Sequence, residues 1–261
     1  MHTIKDIIIY PIKGLGGIHT QEWQAQYAGF KYDRRWMLVD ENHQFVTQRS
    51  LPQMALFSQN IIDDNLVISY HGASVQISVE DHTSQIIHTK VWDDDAVTVF
   101  CSDEISAWFS EMLHKKVQLV KILNDQSRKH TVQATRKTVD VSLADGYPYL
   151  VASEQSLQML NEKLSSPIQM DRFRPNLVVT ADYGHHEDTW PGMKIGNAVF
   201  ENIKPCGRCN VITIDQQNAH INTEPLKILN LYRKVGNSVN FGTNMICTEE
   251  GFIRVGDTIN F

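Results

Sequence analysis

The chain has 261 residues, a formal net charge of −6, a sequence pI near 6.0, 42% apolar residues and 21% charged ones. That length supports one large domain or two modest ones, and the composition is that of an ordinary globular protein. There is no overall basic excess to suggest a nucleic-acid binder, and no run approaches the ~18 apolar residues of a membrane span.

The first residues, MHTIKDIIIYPIKG, alternate like a strand and lack the charged start, long apolar stretch and small-residue cleavage site of a signal peptide, so a cytoplasmic protein is expected. Strands are predicted over 7–12, ending at a Gly-rich bend at 14–17, and over 35–39 and 44–47 as a hairpin around DENH. A second hairpin is predicted over 66–70 and 74–79 around His71-Gly72. Ser102 is placed to cap a helix that aligns Ile105, Trp108, Phe109 and Met112 on one face. Further strands are expected over 117–122, 177–180, 198–200, 211–214 and 251–261. Ser153 and Thr223 are the expected caps of two more helices, one burying Leu157, Leu160 and Leu164, the other carrying Pro225 in its first turn with Leu226 and Leu229 inward. Many short strands with a few helices, without regular β-α alternation, predict a mainly β, α+β protein built of barrels. The first helix marks a seam between two β-rich units, at 1–116 and 117–261.

Four cysteines (Cys101, Cys206, Cys209 and Cys247) in a chain this long do not make a disulfide scaffold. Two of them stand in KPCGRCNVITID, residues 204–215. A C-x-x-C spacing is compatible with a redox pair, half a zinc site, a packed loop, or a thiolate offered to a metal cofactor. The expected strand at 211–214 argues against a thioredoxin-type helix start, and the distance of Cys101 and Cys247 in sequence argues against a four-ligand zinc site. Arg208 lies between the pair. Other groups suited to an anion occur as Lys13 in YPIKGLGG, Arg34 and Arg35 in KYDRRWMLVD, Arg172 and Arg174 in DRFRPNLVV, and Asp145 in the turn LADGYPYLV. Singly, each is an ordinary surface charge or ion-pair member; together they suit one small phosphorylated ligand, since each Arg–phosphate contact contributes roughly 1.5–3 kcal/mol. Adjacent histidines on a loop point in different directions, so His185, His186, Glu187 and Asp188 are left outside the site.

The ordered set YPIKGLGG, DRRWMLVD, FVTQRSLPQM, LADGYPYLVASEQSL, FRPNLVV, KPCGRCNVITID and FIRVGDTINF resembles the MOSC superfamily from about residue 3 onward. It is most similar to the branch holding the mitochondrial amidoxime-reducing component and bacterial YcbX-type relatives. The resemblance implies an N-terminal MOSC-associated β-barrel domain, a MOSC β-barrel domain, and a molybdenum cofactor (molybdopterin) with a terminal phosphate. By motif it implies Cys209 as the molybdenum ligand and catalytic centre. Lys13, Arg34, Asp145, Arg174 and Asn176 map to cofactor-binding positions, joined by Arg208, whose charge is expected to favour the Cys209 thiolate. The implied reaction is two-electron reduction of a small N-hydroxylated substrate, with Gln48 and Arg49 expected at the substrate opening. YcbX-type relatives often continue into a plant-type [2Fe–2S] domain whose cysteines are absent here, so electrons are expected from a separate ferredoxin-, flavodoxin- or cytochrome-type protein. A serine follows the motif lysine in the amidoxime-reducing component, where this chain has Gly14. The other implied role is a molybdenum-cofactor or sulfur carrier using Cys209. No pyridoxal-phosphate domain is recognisable, so such a carrier could not generate the sulfur itself.

Overall fold

The computed structural model of the chain describes residues 1–132 and 136–261. Four strands in the order Trp36–Val39, Gln118–Lys121, Asp94–Phe100 and Ile86–Val91 form one sheet, and Ser58–Ile62, Asn65–Tyr70 and Ala73–Ser78 form a three-stranded meander beside it. Helix α1 (Asp103–Leu113) packs on them, burying Ile105, Phe109 and Leu113 against Trp36, Leu38, Phe57 and Leu119. The Ser102 side chain accepts from the Ile105 N–H at 3.3 Å, as the capping pattern predicts. Full burial of a side chain like Phe109 contributes about 1.5–3 kcal/mol, so this face outweighs the cap.

The second architecture is a closed barrel of seven strands. Around it run Tyr149–Ser153, Leu177–Val179, His2–Ile9, Thr258–Asn260, Gly192–Ile195, Ala198–Gly207 and Ser238–Glu249, and the last pairs back onto the first. Among the described strands of this ring only Tyr149–Ser153 and Leu177–Val179 pair in parallel, and their crossover carries helix α2 (Glu154–Asn161), capped by Ser153. Closure leaves no bare edge on this ring. Ile7, Ile9, Tyr149, Val151, Leu177, Ile195, Phe200 and Met245 fill its interior. The barrel takes a strand from the start of the chain, whereas Gln118–Lys121 pairs with Trp36–Val39 in the other sheet. A third helix, α3 (Leu226–Tyr232), lies against the barrel through Leu229, next to Phe173, Ile212 and Phe241. Among the described residues no helix is long and apolar enough to cross a membrane.

Several expected elements differ. Residues 211–214 are not a strand: Asn210–Thr213 is a 3-10 turn, with Thr213 Oγ1 donating to the Asn210 carbonyl at 2.7 Å and Ile212 buried below. A local hydroxyl–carbonyl bond competes with sheet pairing, and here it wins. Thr223 does not cap α3; Pro225 occupies the N-cap, and Thr223 contributes only its carbonyl, to the Lys227 N–H. The arm at 44–47 is reduced to isolated bridges at Gln44 and Phe45. Residues 251–261 split into Gly251–Arg254 and Thr258–Asn260, which join different sheets.

Candidate functional site

The seven residues that the resemblance assigns to the site line one cleft: Lys13, Arg34, Asp145, Arg174, Asn176, Arg208 and Cys209, together with Gln48 and Arg49. Arg35 and Arg172 are not among them. Arg35 donates to the carbonyls of Leu123 and Gln126, and Arg172 pairs with Asp215 at 2.7 Å. Backbone bonds assemble the cleft. The Lys13 N–H donates to the Trp36 carbonyl (2.8 Å) and the Arg34 N–H to the Tyr10 carbonyl (2.9 Å), laying residues 10–13 beside 34–36. The Leu143 N–H donates to the Arg34 carbonyl at 2.9 Å and draws in the loop bearing Asp145.

The cysteine loop follows from the barrel. Ala198–Gly207 pairs with Ser238–Glu249 through register shifts at Asn202/Lys204 and Pro205/Gly207, which bend the strand as it leaves the sheet. A Cβ on Gly207 would stand 2.3 Å from Ser238 Oγ, so the first of the two residues between the cysteines of KPCGRC leaves room for a side chain of the neighbouring strand. The Arg208 N–H then donates to the Val239 carbonyl at 2.7 Å. Cys209 is exposed at the N-cap of the 3-10 turn, and one turn of four residues carries little dipole. The Arg208 side chain is turned onto the other cysteine: Nη1 lies 3.0 Å from Cys206 Sγ and Nη2 donates to the Phe173 carbonyl at 2.8 Å. Its hydrogen bond therefore goes to Cys206 and not to Cys209, the residue whose thiolate its charge is expected to favour. Cys101 and Cys247 are buried in the two cores, where burial pushes each thiol up to about 12.

Arg34 and Arg174 share the Tyr10 ring, their guanidinium carbons 4.2 and 4.3 Å from its centre. Their partners differ. Arg34 Nη1 donates to Asp33 Oδ2 (2.6 Å) and Asn176 Oδ1 (3.0 Å), and Nη2 to the Arg174 carbonyl (3.2 Å). Asn176 in turn donates Nδ2–H to the Ile8 carbonyl, so its amide is spent on positioning Arg34 and the strands. Arg174 follows the 3-10 turn Met170–Phe173 in a left-handed conformation (φ 54°), which is why it and Arg172 face different surroundings. Among the described residues nothing accepts a hydrogen bond from its guanidinium, and burial pushes its pKa down to about 10. Arg208 Nε is likewise buried without a partner. Unmet cationic donors around an exposed thiol are what an anionic ligand with a soft metal requires.

Lys13 Nζ donates to Asp145 Oδ1 (2.5 Å) and the Leu143 carbonyl (2.9 Å). Burial lowers the lysine's affinity for its proton against the pull of Asp145. Desolvation pushes the Asp145 carboxyl up, but the Lys13 ammonium outweighs it and holds the group well below the usual carboxylate range. Trp92 Nε1 also donates to Asp145 at 3.1 Å, and Arg49 lies over the Trp92 ring at 4.2 Å. Above, Gln48 and Gln216 exchange reciprocal amide bonds of 3.0 Å, and Gln48 also donates to the Gly14 carbonyl. Tyr10, Asp33, Trp92 and Gln216 were missed from sequence. Tyr10 stands inside the quoted YPIK motif, but an aromatic in a strand signals packing before it signals an arginine platform.

Two family models match in tandem: the MOSC N-terminal beta barrel domain over residues 1–116 and the MOSC domain over residues 138–260. The chain is 29% identical to mitochondrial amidoxime reducing component 2 of Bos taurus, covering 98% of this chain and 82% of that one. It is 28% identical to mitochondrial amidoxime-reducing component 1 of Mus musculus, covering 98% and 81%. It is 30% identical to molybdenum cofactor sulfurase of Danio rerio over 92% of this chain, but spans only 31% of that protein's length.

Proposed function

The chain belongs to the MOSC family, and from that premise we propose that it is a molybdenum-cofactor-dependent reductase of N-hydroxylated compounds, such as amidoximes or hydroxylamino bases, supplied with electrons by a separate ferredoxin-, flavodoxin- or cytochrome-type protein. A cytoplasmic site of action belongs to the same proposal. The observation that carries it is the unmet charge in the cleft: a half-buried Arg174 guanidinium with no acceptor among the described residues, a buried Arg208 Nε without a partner, and an exposed Cys209 thiol on the same walls. The similarity to two amidoxime-reducing components, over most of their length, supports the choice of substrate class.

When bound, the molybdenum cofactor supplies the two-electron redox chemistry. This chain's residues do the rest. Cys209 Sγ is the thiolate offered to the metal, a soft ligand for a soft site. Arg174, whose guanidinium has no acceptor among the described residues, and Arg208, whose Nε alone is unpartnered, would receive the cofactor's phosphate. Arg34 is held by Asp33 and Asn176 and keeps the Tyr10 platform in place. Lys13 holds Asp145 ionised at the cleft wall, where its carboxylate is a hydrogen-bond acceptor for an N–H or O–H of the substrate. Gln48 and Gln216 close one side of the opening and limit water.

The matches to molybdenum cofactor sulfurases favour a second role, in which Cys209 carries a persulfide or hands the cofactor to another enzyme. One experiment separates the two. The protein is purified from a host that makes the cofactor, its molybdenum and pterin are measured, and benzamidoxime reduction is assayed with a chemical electron donor. Turnover that is lost in Cys209→Ala supports the reductase. Molybdenum without turnover supports the carrier, and no molybdenum in the wild type sinks both.

A further inference from the structure

The histidine pair left outside the site has a separate geometry. His186 meets His2 and Asp182, and one ligating atom from each lies within 4.8 Å of the others. None of the three lines the cleft. His2 Nε2 is 3.6 Å and His186 Nδ1 is 3.5 Å from the same oxygen, Asp182 Oδ2. Those separations exceed the roughly 2.7–3.2 Å of a good N–H···O bond. They match a coordination polyhedron instead: donors about 2.0–2.2 Å from a tetrahedral zinc ion stand roughly 3.3–3.6 Å apart.

The rings are held in place before any ion arrives. His2 lies 5.5 Å from both Trp190 and Phe261, and His186 stacks on Tyr183 at 4.4 Å with Trp190 at 5.8 Å. The imidazole side chains are 13% and 19% exposed, whereas the Asp182 side chain is 67% exposed, so an aromatic wall backs the group and water reaches its open side. His2's ring nitrogens have no hydrogen-bond partner among the described residues, and His186 Nδ1 accepts only a long bond, 3.4 Å, from the Asp182 N–H. His185 takes no part: it is buried beside Tyr232 and Phe241.

We propose that His2, Asp182 and His186 form a site for a zinc-class divalent ion, with water in the open position. Two imidazoles and one carboxylate suit such an ion better than calcium or magnesium, which take oxygen ligands. The ion would tie the strand His2–Ile9, which closes the barrel against Leu177–Val179 and Thr258–Asn260, to the loop before the 3-10 turn His186–Thr189. Its role is therefore to brace the barrel seam.

The test uses metal-stripped full-length protein carrying Cys206→Ser and Cys209→Ser, so that the cleft thiols cannot bind the probe, and zinc chloride alone as that probe. Equilibrium dialysis is expected to show about one zinc per chain. Thermal unfolding is expected to rise by about 5–10 °C at a free zinc concentration a hundredfold above Kd. Asp182→Asn and His2→Gln, added singly, should keep the metal-free unfolding midpoint, weaken zinc binding at least about tenfold and abolish the shift. An absence of bound zinc, or equal zinc binding by these variants, would overturn the site.

Discussion

Arg34 and Arg174 share one tyrosine ring, yet their removal should affect the fold in opposite ways. Arg34 compensates Asp33, whose carboxylate is fully buried and otherwise receives only uncharged donors, the Tyr10 N–H and the Asn176 amide. Arg34→Met strands that buried charge, at a cost of about 3–5 kcal/mol. Arg174 compensates nothing; its burial, expressed as a pKa pushed down to about 10, corresponds to on the order of 1–3 kcal/mol spent on holding an unpaired cation. Arg174→Met keeps much of the apolar stem and relieves that cost, so the cofactor-free protein should be unchanged or up to about 1 kcal/mol more stable. The holo protein should show the reverse. One lost charge-assisted contact, about 1.5–3 kcal/mol, weakens cofactor retention roughly 10- to 150-fold. Urea unfolding of the cofactor-free variants gives the first quantity, and molybdenum and pterin content after purification gives the second. Equal destabilisation by the two substitutions, or wild-type cofactor content in Arg174→Met, would refute the division of labour.

Gly242 has φ +71°, and a Cβ there would sit 2.7 Å from the Val151 carbonyl oxygen, across the pairing that closes the barrel. Gly242→Ala should cost about 2–5 kcal/mol, read as a lower urea midpoint. His185 and Asp188 predict an unusual response to acid. Burial pushes His185 down to about 4, so between about pH 6.5 and 4 the unfolded chain takes a proton that the folded one refuses, and stability falls as pH falls. Burial pushes Asp188 up to about 6, despite Arg233, with Oδ1 left unsatisfied, so over an overlapping window the folded chain takes a proton that the unfolded one refuses, and stability rises. These slopes oppose each other. Asp188→Asn should uncover the histidine's, making urea stability fall by about 1–2 kcal/mol more than the wild type's between pH 6 and 4.5; parallel curves would contradict it.

Strands that alternate cleanly were legible from sequence. The hairpin around His71-Gly72 pairs Tyr70 with Ala73, and Ser102 and Ser153 cap the helices they precede. The longest strand among the described residues, Ser238–Glu249, was not legible. Its middle is buried on both faces and carries the polar Asn240, Thr243 and Asn244, the last of which lines the cleft, so no period-two signal survives. The apolar run at 211–214 misled in the opposite sense, because burial of Ile212 and a local hydroxyl bond serve a 3-10 turn as well as a strand. At the site, charged residues in scattered loops were recognisable because each followed a strand or turn signal, and the fold does bring them to one cleft. The direction of each side chain was not recognisable: Arg208 facing Cys206, Asn176 spent on Arg34, and His186 meeting His2 all depend on register and bends that only tertiary pairing sets.

The most direct measurement is molybdenum X-ray absorption on protein loaded in a cofactor-making host, comparing wild type, Cys206→Ala and Cys209→Ala. Cys209 as the ligand predicts that Cys209→Ala either loses its molybdenum or holds it with one fewer sulfur neighbour, while Cys206→Ala matches the wild type. An unchanged sulfur shell in Cys209→Ala, or a sulfur lost in Cys206→Ala instead, would contradict it.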